Sequence, residues 1–162
     1  MIKKIIIAMV VILFSGISLS AGEMPGKTRT DGRFIAYDNG TVLDTKSGLM
    51  WAARDNGMDI EWQDAKSYCE HYYGGGYSGW RMPTQNELAE LYDKAKTYKS
   101  QCGDDVHLTE LIRLTCSWVW ASAIRDSKAA DFNFNNGVND WHQSTHAYPY
   151  RVLPVRFDHL VH

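Results

Sequence analysis

The residues best suited to chemistry crowd into one stretch near the C-terminus. Between Asp131 and Tyr150 the chain carries Asn133, Asn135, Asn136, Asn139, Asp140, Trp141, His142, Gln143, His146, Tyr148 and Tyr150. Rigid aromatics beside short amides form the composition of an antibody-like binding surface, where the rings supply contact area and the amides adapt their hydrogen bonds. Asn133, Asn135, Asn136, Asn139, Asp140, Trp141, His142, Tyr148 and Tyr150 are therefore the candidate ligand contacts, with Trp141 as the central anchor. The same composition also suits a solvated surface loop, because Asn favours turns. Against that stands the waste of leaving three large aromatics idle in a polar loop. His142 and His146 lie four apart, a metal-ligand spacing on a helix. Pro149 and the surrounding turn residues oppose a helix there, so no metal site is assigned. No Ser sits in a nucleophile elbow, and no carboxylate pair is placed by spacing for acid–base work. The expectation is a non-catalytic protein without a cofactor.

Three cysteines are present, Cys69, Cys102 and Cys116. In an exported chain they cannot all pair internally. Cys102 and Cys116 enclose a loop of modest length, and closing it is worth roughly 3 kcal/mol in the chain-entropy model. Cys69 falls at an apolar position of an expected helix and reads as a buried free thiol. A catalytic thiol there would need a neighbouring base and solvent access, and the sequence signals neither.

The elements that must hold this segment are legible in outline. Arg33–Tyr37 and Thr41–Leu43 read as short strands around the hairpin signal Asp38-Asn39-Gly40, followed by a strand over Leu49–Ala53. Trp62, Ala65, Cys69 and Tyr72 recur with helical spacing over about Glu61–Tyr73, and Gly74-Gly75-Gly76 stops the helix. Pro83 forces the preceding Tyr77–Met82 to be extended. Thr84 and Glu87 form a capping box for a second helix, whose inner face is Leu88, Leu91, Tyr92 and Ala95. Trp118–Ser122 reads as a strand with Trp118 and Trp120 on one face. Ala130–Phe134 alternates, with Phe132 and Phe134 inward and Asp131 and Asn133 outward. Asn135-Asn136-Gly137 is a turn, Val138–Tyr150 reads as irregular, and Arg151–Phe157 closes the fold as a strand. Strands, two helices and more strands make an α+β domain with a mostly antiparallel sheet.

Bulk properties narrow the setting. Lys3 and Lys4, the apolar run Ile5–Phe14 and the small residues up to Ala21 have the layout of a secretory signal peptide over residues 1–21, cut after Ser20 or Ala21. The apolar run is short for a membrane span; an uncleaved N-terminal anchor is the alternative. Residues 22–32 read as a flexible leader, 33–157 as one domain and 158–162 as a tail. Without residues 1–21, 15 basic residues face 19 acidic ones, which is not a nucleic-acid footprint. Six Trp and nine Tyr suit an exported domain that contacts sugars or proteins.

Asp44–Trp51, Ala65 with Tyr68-Cys69, Gly76–Thr84 with Glu87-Leu88, Trp120–Ser122 and Val152–Arg156 together resemble one bacterial family, the Lcl C-terminal domain family, over roughly residues 33–157. The pair Gly48-Leu49-Met50-Trp51 and Trp80-Arg81-Met82-Pro83-Thr84 carries most of the resemblance. It implies a C-type-lectin-like fold with a long binding-loop region. Family members often carry a Cys in the final strand where this chain has Leu153, which would suit a partner for the position of Cys69; its replacement fits an unpaired Cys69. The Glu-Pro-Asn or Gln-Pro-Asp triplet of calcium-dependent lectins is missing. Asn139-Asp140-Trp141 alone offers too few oxygens for calcium, which takes six to eight. Formylglycine-generating enzymes share the fold, but they use a reactive cysteine pair, and Cys102 and Cys116 read as structural. Some C-type-lectin-like proteins are targets of diversity-generating retroelements, and the Asn, Asp, His and Tyr scatter over Phe132–Tyr150 resembles their variable segments. The expected role is an exported binding module for a cell-surface or extracellular protein or glycan. A structural adhesin, or an accessory subunit of an envelope appendage, is the alternative.

Overall fold

Asn39-Gly40 turns the chain where the sequence places the turn. Its Asn39 side chain accepts hydrogen bonds from the backbone N–H and the hydroxyl of Thr41, and Gly40 takes a positive φ of 80°. In the computed structural model, which describes residues 24–158, the strands on either side are β2 (Phe34–Tyr37) and β3 (Thr41–Asp44). With β1 (Lys27–Asp31), β4 (Leu49–Ala52) and β11 (Val155–Phe157) they form an antiparallel sheet in the order β1-β2-β3-β4-β11. The signal-peptide reading over residues 1–21 and most of the tail lie outside the described residues.

The segment read as a flexible leader contributes β1. Its sequence, Lys-Thr-Arg-Thr-Asp, has no apolar alternation to announce a strand. It is held by pairing with β2 and by Asp31, which accepts hydrogen bonds from Thr109 and Lys96.

A second sheet runs β10-β7-β8-β9, from β10 (Tyr150–Arg151), β7 (Trp118–Arg125), β8 (Lys128–Asn133) and β9 (Val138–Gln143); β10 pairs parallel to β7 and the rest are antiparallel. A third pair, β5 (Tyr98–Lys99) with β6 (Asp105–Val106), sits beside the disulfide loop. Among the described residues there are two α-helices, so the fold is α+β: α1 (Trp62–His71) and α2 (Gln85–Leu91).

The capping box forms as read. Thr84 Oγ1 accepts from the Glu87 N–H, and Glu87 accepts from the Thr84 N–H at 2.8 Å. Arg81 then grips the same Glu87 carboxylate at 2.6 and 2.8 Å. The helix is shorter than its apolar pattern suggests. It ends at Leu91, Tyr92 caps it in an extended conformation, and Ala95 is exposed beyond it. α1 likewise ends at His71, before the glycines.

The two helices cover opposite faces of the second sheet. Leu88 and Leu91 join Phe132, Ala130, Val119 and Ala121 in one core cluster. Trp62, Ala65 and Cys69 join Trp120, Ala129, Tyr150 and Val152 in the other. Two indoles lock α1 and the segment before it to the sheet: Trp62 Nε1 donates to the Ala121 carbonyl at 2.7 Å and Trp120 Nε1 to the Ile60 carbonyl at 2.9 Å. Because both faces are covered, β8 is buried throughout from Ala129 to Asn133. This corrects the expectation that Asp131 and Asn133 point to solvent.

Cys102 and Cys116 are joined in a disulfide, which fits an oxidising compartment. Cys69 is free and fully buried, and burial pushes its thiol pKa up to about 12, an inert state. Among the described residues no helix is long and apolar enough to cross a membrane.

Candidate functional site

The segment expected to be an irregular loop is largely a strand. β9 pairs with β8 along its whole length, from Val138 opposite Asn133 to Gln143 opposite Lys128. The turn between them is tight, and Gly137 is needed there: it has φ +76°, and an added Cβ would lie 2.9 Å from the Tyr92 ring.

Part of the asparagine content is explained by that turn. Asn133 Oδ1 accepts from the Asn135 N–H at 2.8 Å, Asn136 Oδ1 accepts from the Val138 N–H at 3.2 Å, and Asn135 Nδ2 donates to the Asp105 carbonyl at 3.0 Å. Asn133 is buried and faces no ligand. Asn135, Asn136, Asn139 and Asp140 are exposed or half-exposed along the turn and strand.

Trp141 is half-buried, with its inner side packed against the main core and the Arg125 guanidinium 4.2 Å from its ring centroid. Arg125, Asp126, Ser127, Lys128 and Trp141 line an open cavity of about 360 Å³. The sequence reading does not include Arg125 and Lys128. The only signal for them is Asp126-Ser127, a turn pair that brings both cations to the foot of the β7–β8 hairpin, opposite Trp141.

On the other face of the hairpin, His142 Nδ1 donates to Asp131 Oδ2 at 2.8 Å. Trp118 meets the imidazole edge-on with centroids 5.1 Å apart, and Tyr150 lies 5.7 Å away. His142 Nε2 is 4.0 Å from Asp140 Oδ2. Burial pushes the Asp131 carboxyl up to about 6, against the opposing pull of the His142 hydrogen bond. Its Oδ1 is buried without a hydrogen-bond partner. The dyad orients an imidazole that stays partly open to solvent. Tyr150 is not a surface residue: it is 4% exposed and stacks on Trp120 with centroids 4.0 Å apart. Tyr148 is 74% exposed. His146 is exposed beyond the end of β9, so the two histidines do not share a helix face. Among the described residues no group of three or more His, Cys, Asp or Glu side chains is placed to hold a metal ion.

The structure thus gathers Asn135, Asn136, Asn139, Asp140, Trp141 and His142 on one hairpin, leaves Tyr148 on the connection that follows, and withdraws Asn133 and Tyr150 into the interior. α2 steadies the arrangement, since Gln85 Nε2 donates to the carbonyls of both Asp131 and Asp140, at 2.9 and 3.0 Å.

No curated protein sequence matches this chain. A family model, the Lcl C-terminal domain, matches residues 40–156, from the β2–β3 turn into β11. That span contains both helices, the disulfide and the whole β8–β9 hairpin, and the chain belongs to the Lcl C-terminal domain family.

Proposed function

We propose that this protein is an exported, non-catalytic binding module of C-type-lectin-like type. Its ligand-facing surface is the outer part of the β8–β9 hairpin with the connection that follows it. The observation that carries the reading is the split between the two sides of this segment. Phe132, Phe134 and Tyr150 are buried and fix the backbone. Asn135, Asn136, Asn139, Asp140 and Tyr148 lie on the outside, and Trp141 offers a ring already ordered by core packing and by Arg125. An anchor whose rotamer is fixed before binding loses little conformational entropy on contact, which is how aromatic paratopes gain affinity. The ligand is a cell-surface or extracellular protein or glycan.

The same split suits a diversified segment, in which buried scaffold positions stay constant while exposed ones vary. Sequencing several kilobases on either side of the gene tests that extension. A near-copy of codons 129–156 beside a reverse transcriptase, differing almost only at adenines, supports it, and a flank without such a copy removes it.

The binding reading itself is tested with the Trp141→Ala and Tyr148→Ala variants against glycan and protein panels. A binding module loses its ligand with Tm nearly unchanged. Ligands bound equally by the variants and the parent protein would place the site elsewhere.

A further inference from the structure

The outer edge of β9 is unpaired among the described residues, because β9 ends the second sheet and its ladder runs only to β8. The Ser144 N–H donates to the Ser127 carbonyl at 2.8 Å, which fixes the phase of the ladder. Residues 138, 140 and 142 turn their backbone groups toward β8, as Ser144 does with its N–H while its carbonyl accepts from the Trp62 N–H, and residues 139, 141 and 143 turn theirs outward. An exposed row of this kind is a template for another strand. Val138, Asn139, Asp140 and Gln143 are all exposed, so the edge is open along its length.

We propose that this edge pairs with β9 of a second copy, antiparallel and two-fold symmetric, with Trp141 on the dyad, so that two four-stranded sheets join into one. Charge selects both the occupant and the register. Outward groups must meet outward groups, which leaves three central registers. Shifting toward the N-terminus sets Asp140 directly opposite the second Asp140, and like charges in that position destabilise. Shifting toward the C-terminus sets His142 opposite His142. The register centred on Trp141 sets Asp140 opposite His142 twice and Asn139 opposite Gln143 twice, so every polar side chain gains a complementary neighbour. Self-pairing supplies both halves of that match from one sequence, as a closed isologous interface requires.

The edge also carries a built-in guard. Asp140 Oδ1 accepts from the outward Trp141 N–H at 2.8 Å, occupying the central donor while the protein is alone. Pairing moves that carboxylate to the His142 of the second copy and frees the Trp141 N–H for the strand ladder. The contact is small, so the dimer is weak and its population rises with concentration.

Sedimentation velocity on the protein at rising concentration, to about 1 mM, tests the proposal together with two variants. Asn139→Pro removes an outward N–H while leaving the bonds to β8 intact, and Asp140→Lys sets a cation against His142. The expected result is a monomer–dimer equilibrium whose dissociation constant rises at least about tenfold in each variant, with melting temperatures near that of the parent. If Asn139→Pro melts early, Asp140→Lys alone decides. A parent protein that stays monomeric across the range, or a dimer that persists unchanged in the folded variants, overturns the proposal.

Discussion

The two edges of the second sheet handle polar groups in opposite ways. At the β10 edge the Arg151 side chain is buried, and its guanidinium is widely engaged: Nε donates to Thr115 Oγ1 at 2.6 Å, Nη1 to Asp59 at 2.5 Å and to the Tyr150 carbonyl at 3.0 Å. Thr115 in turn donates to the buried Asp55 carboxylate through its N–H at 2.6 Å and its hydroxyl at 3.0 Å. The Cys102–Cys116 disulfide lies against the same network, with Cys102 Sγ 3.8 Å from Arg151. At the β9 edge the polar groups are less fully matched. Asp131, on the neighbouring strand β8, leaves one buried oxygen without a partner, and among the described residues no strand pairs with the outer side of β9. A dense hydrogen-bond network closes one edge, and the other is unpaired among the described residues. Stability should therefore respond most to changes at the first edge, and binding to changes at the second.

Arg151→Met is expected to be the most damaging change. It strips the buried partner from Thr115 and Asp59, at a cost of about 3 kcal/mol in urea denaturation. A loss below about 1 kcal/mol would erase the contrast between the edges. Next comes the disulfide. Replacing Cys102 and Cys116 together with Ser should cost about 3 kcal/mol or slightly less, measured the same way under non-reducing conditions.

Asp131→Asn acts one strand in from the open edge, on β8, through pH. The folded protein holds the Asp131 proton up to about pH 6, whereas the unfolded chain releases it near the ordinary value of 3.8. Between those values the folded state binds more protons, so this group lowers stability as pH rises, and above about 6 its contribution is constant. Glu87 works the other way. Burial raises its pKa, but the Arg81 hydrogen bonds, the Thr84 N–H and the Arg81 charge together outweigh it, so the pKa is lowered and the contribution is lost as pH falls. The clean readout is the difference between parent and Asp131→Asn. That difference should move in favour of the variant between 3.8 and about 6 and then level off; a flat difference would mean that burial does not perturb Asp131.

The smallest stability effect is expected at Tyr148→Ala, within about 0.5 kcal/mol, because the ring is 74% exposed. Its effect on ligand affinity should nonetheless reach about tenfold.

Features set by local chemistry are legible in the sequence. Thr84 and Glu87 satisfy each other within one turn, Asn39-Gly40 carries its own hairpin geometry, and Cys102 and Cys116 are the pair that close a short loop. Features set by what packs from afar are not. Val138–Gln143 looks irregular because an edge strand with one half-covered face needs no apolar alternation, and its order comes from β8. β1 is hidden for the same reason, since Lys27–Asp31 borrows its conformation from β2 and its anchorage from Lys96 and Thr109. Asp131 follows a period-2 pattern correctly and is still buried, because α1 and its neighbours, from far earlier in the chain, cover the face it occupies. Within the candidate segment, residue types alone gather most of the proposed contacts onto one hairpin around Trp141. They overcount the surface by Asn133 and Tyr150 and give no sign of the Arg125 contact that orders the ring.

The most direct test of a binding face on the β8–β9 hairpin is residue-resolved. Backbone amide NMR spectra of the protein would be recorded while the best hit from the glycan and protein panels is titrated in. A binding face there predicts shifts clustered at Asn135–His142 and Tyr148, with the Arg151 network and the disulfide loop unmoved. Shifts centred instead on the separate cavity beside Arg54, Lys99 and Arg113, with the hairpin silent, would contradict it.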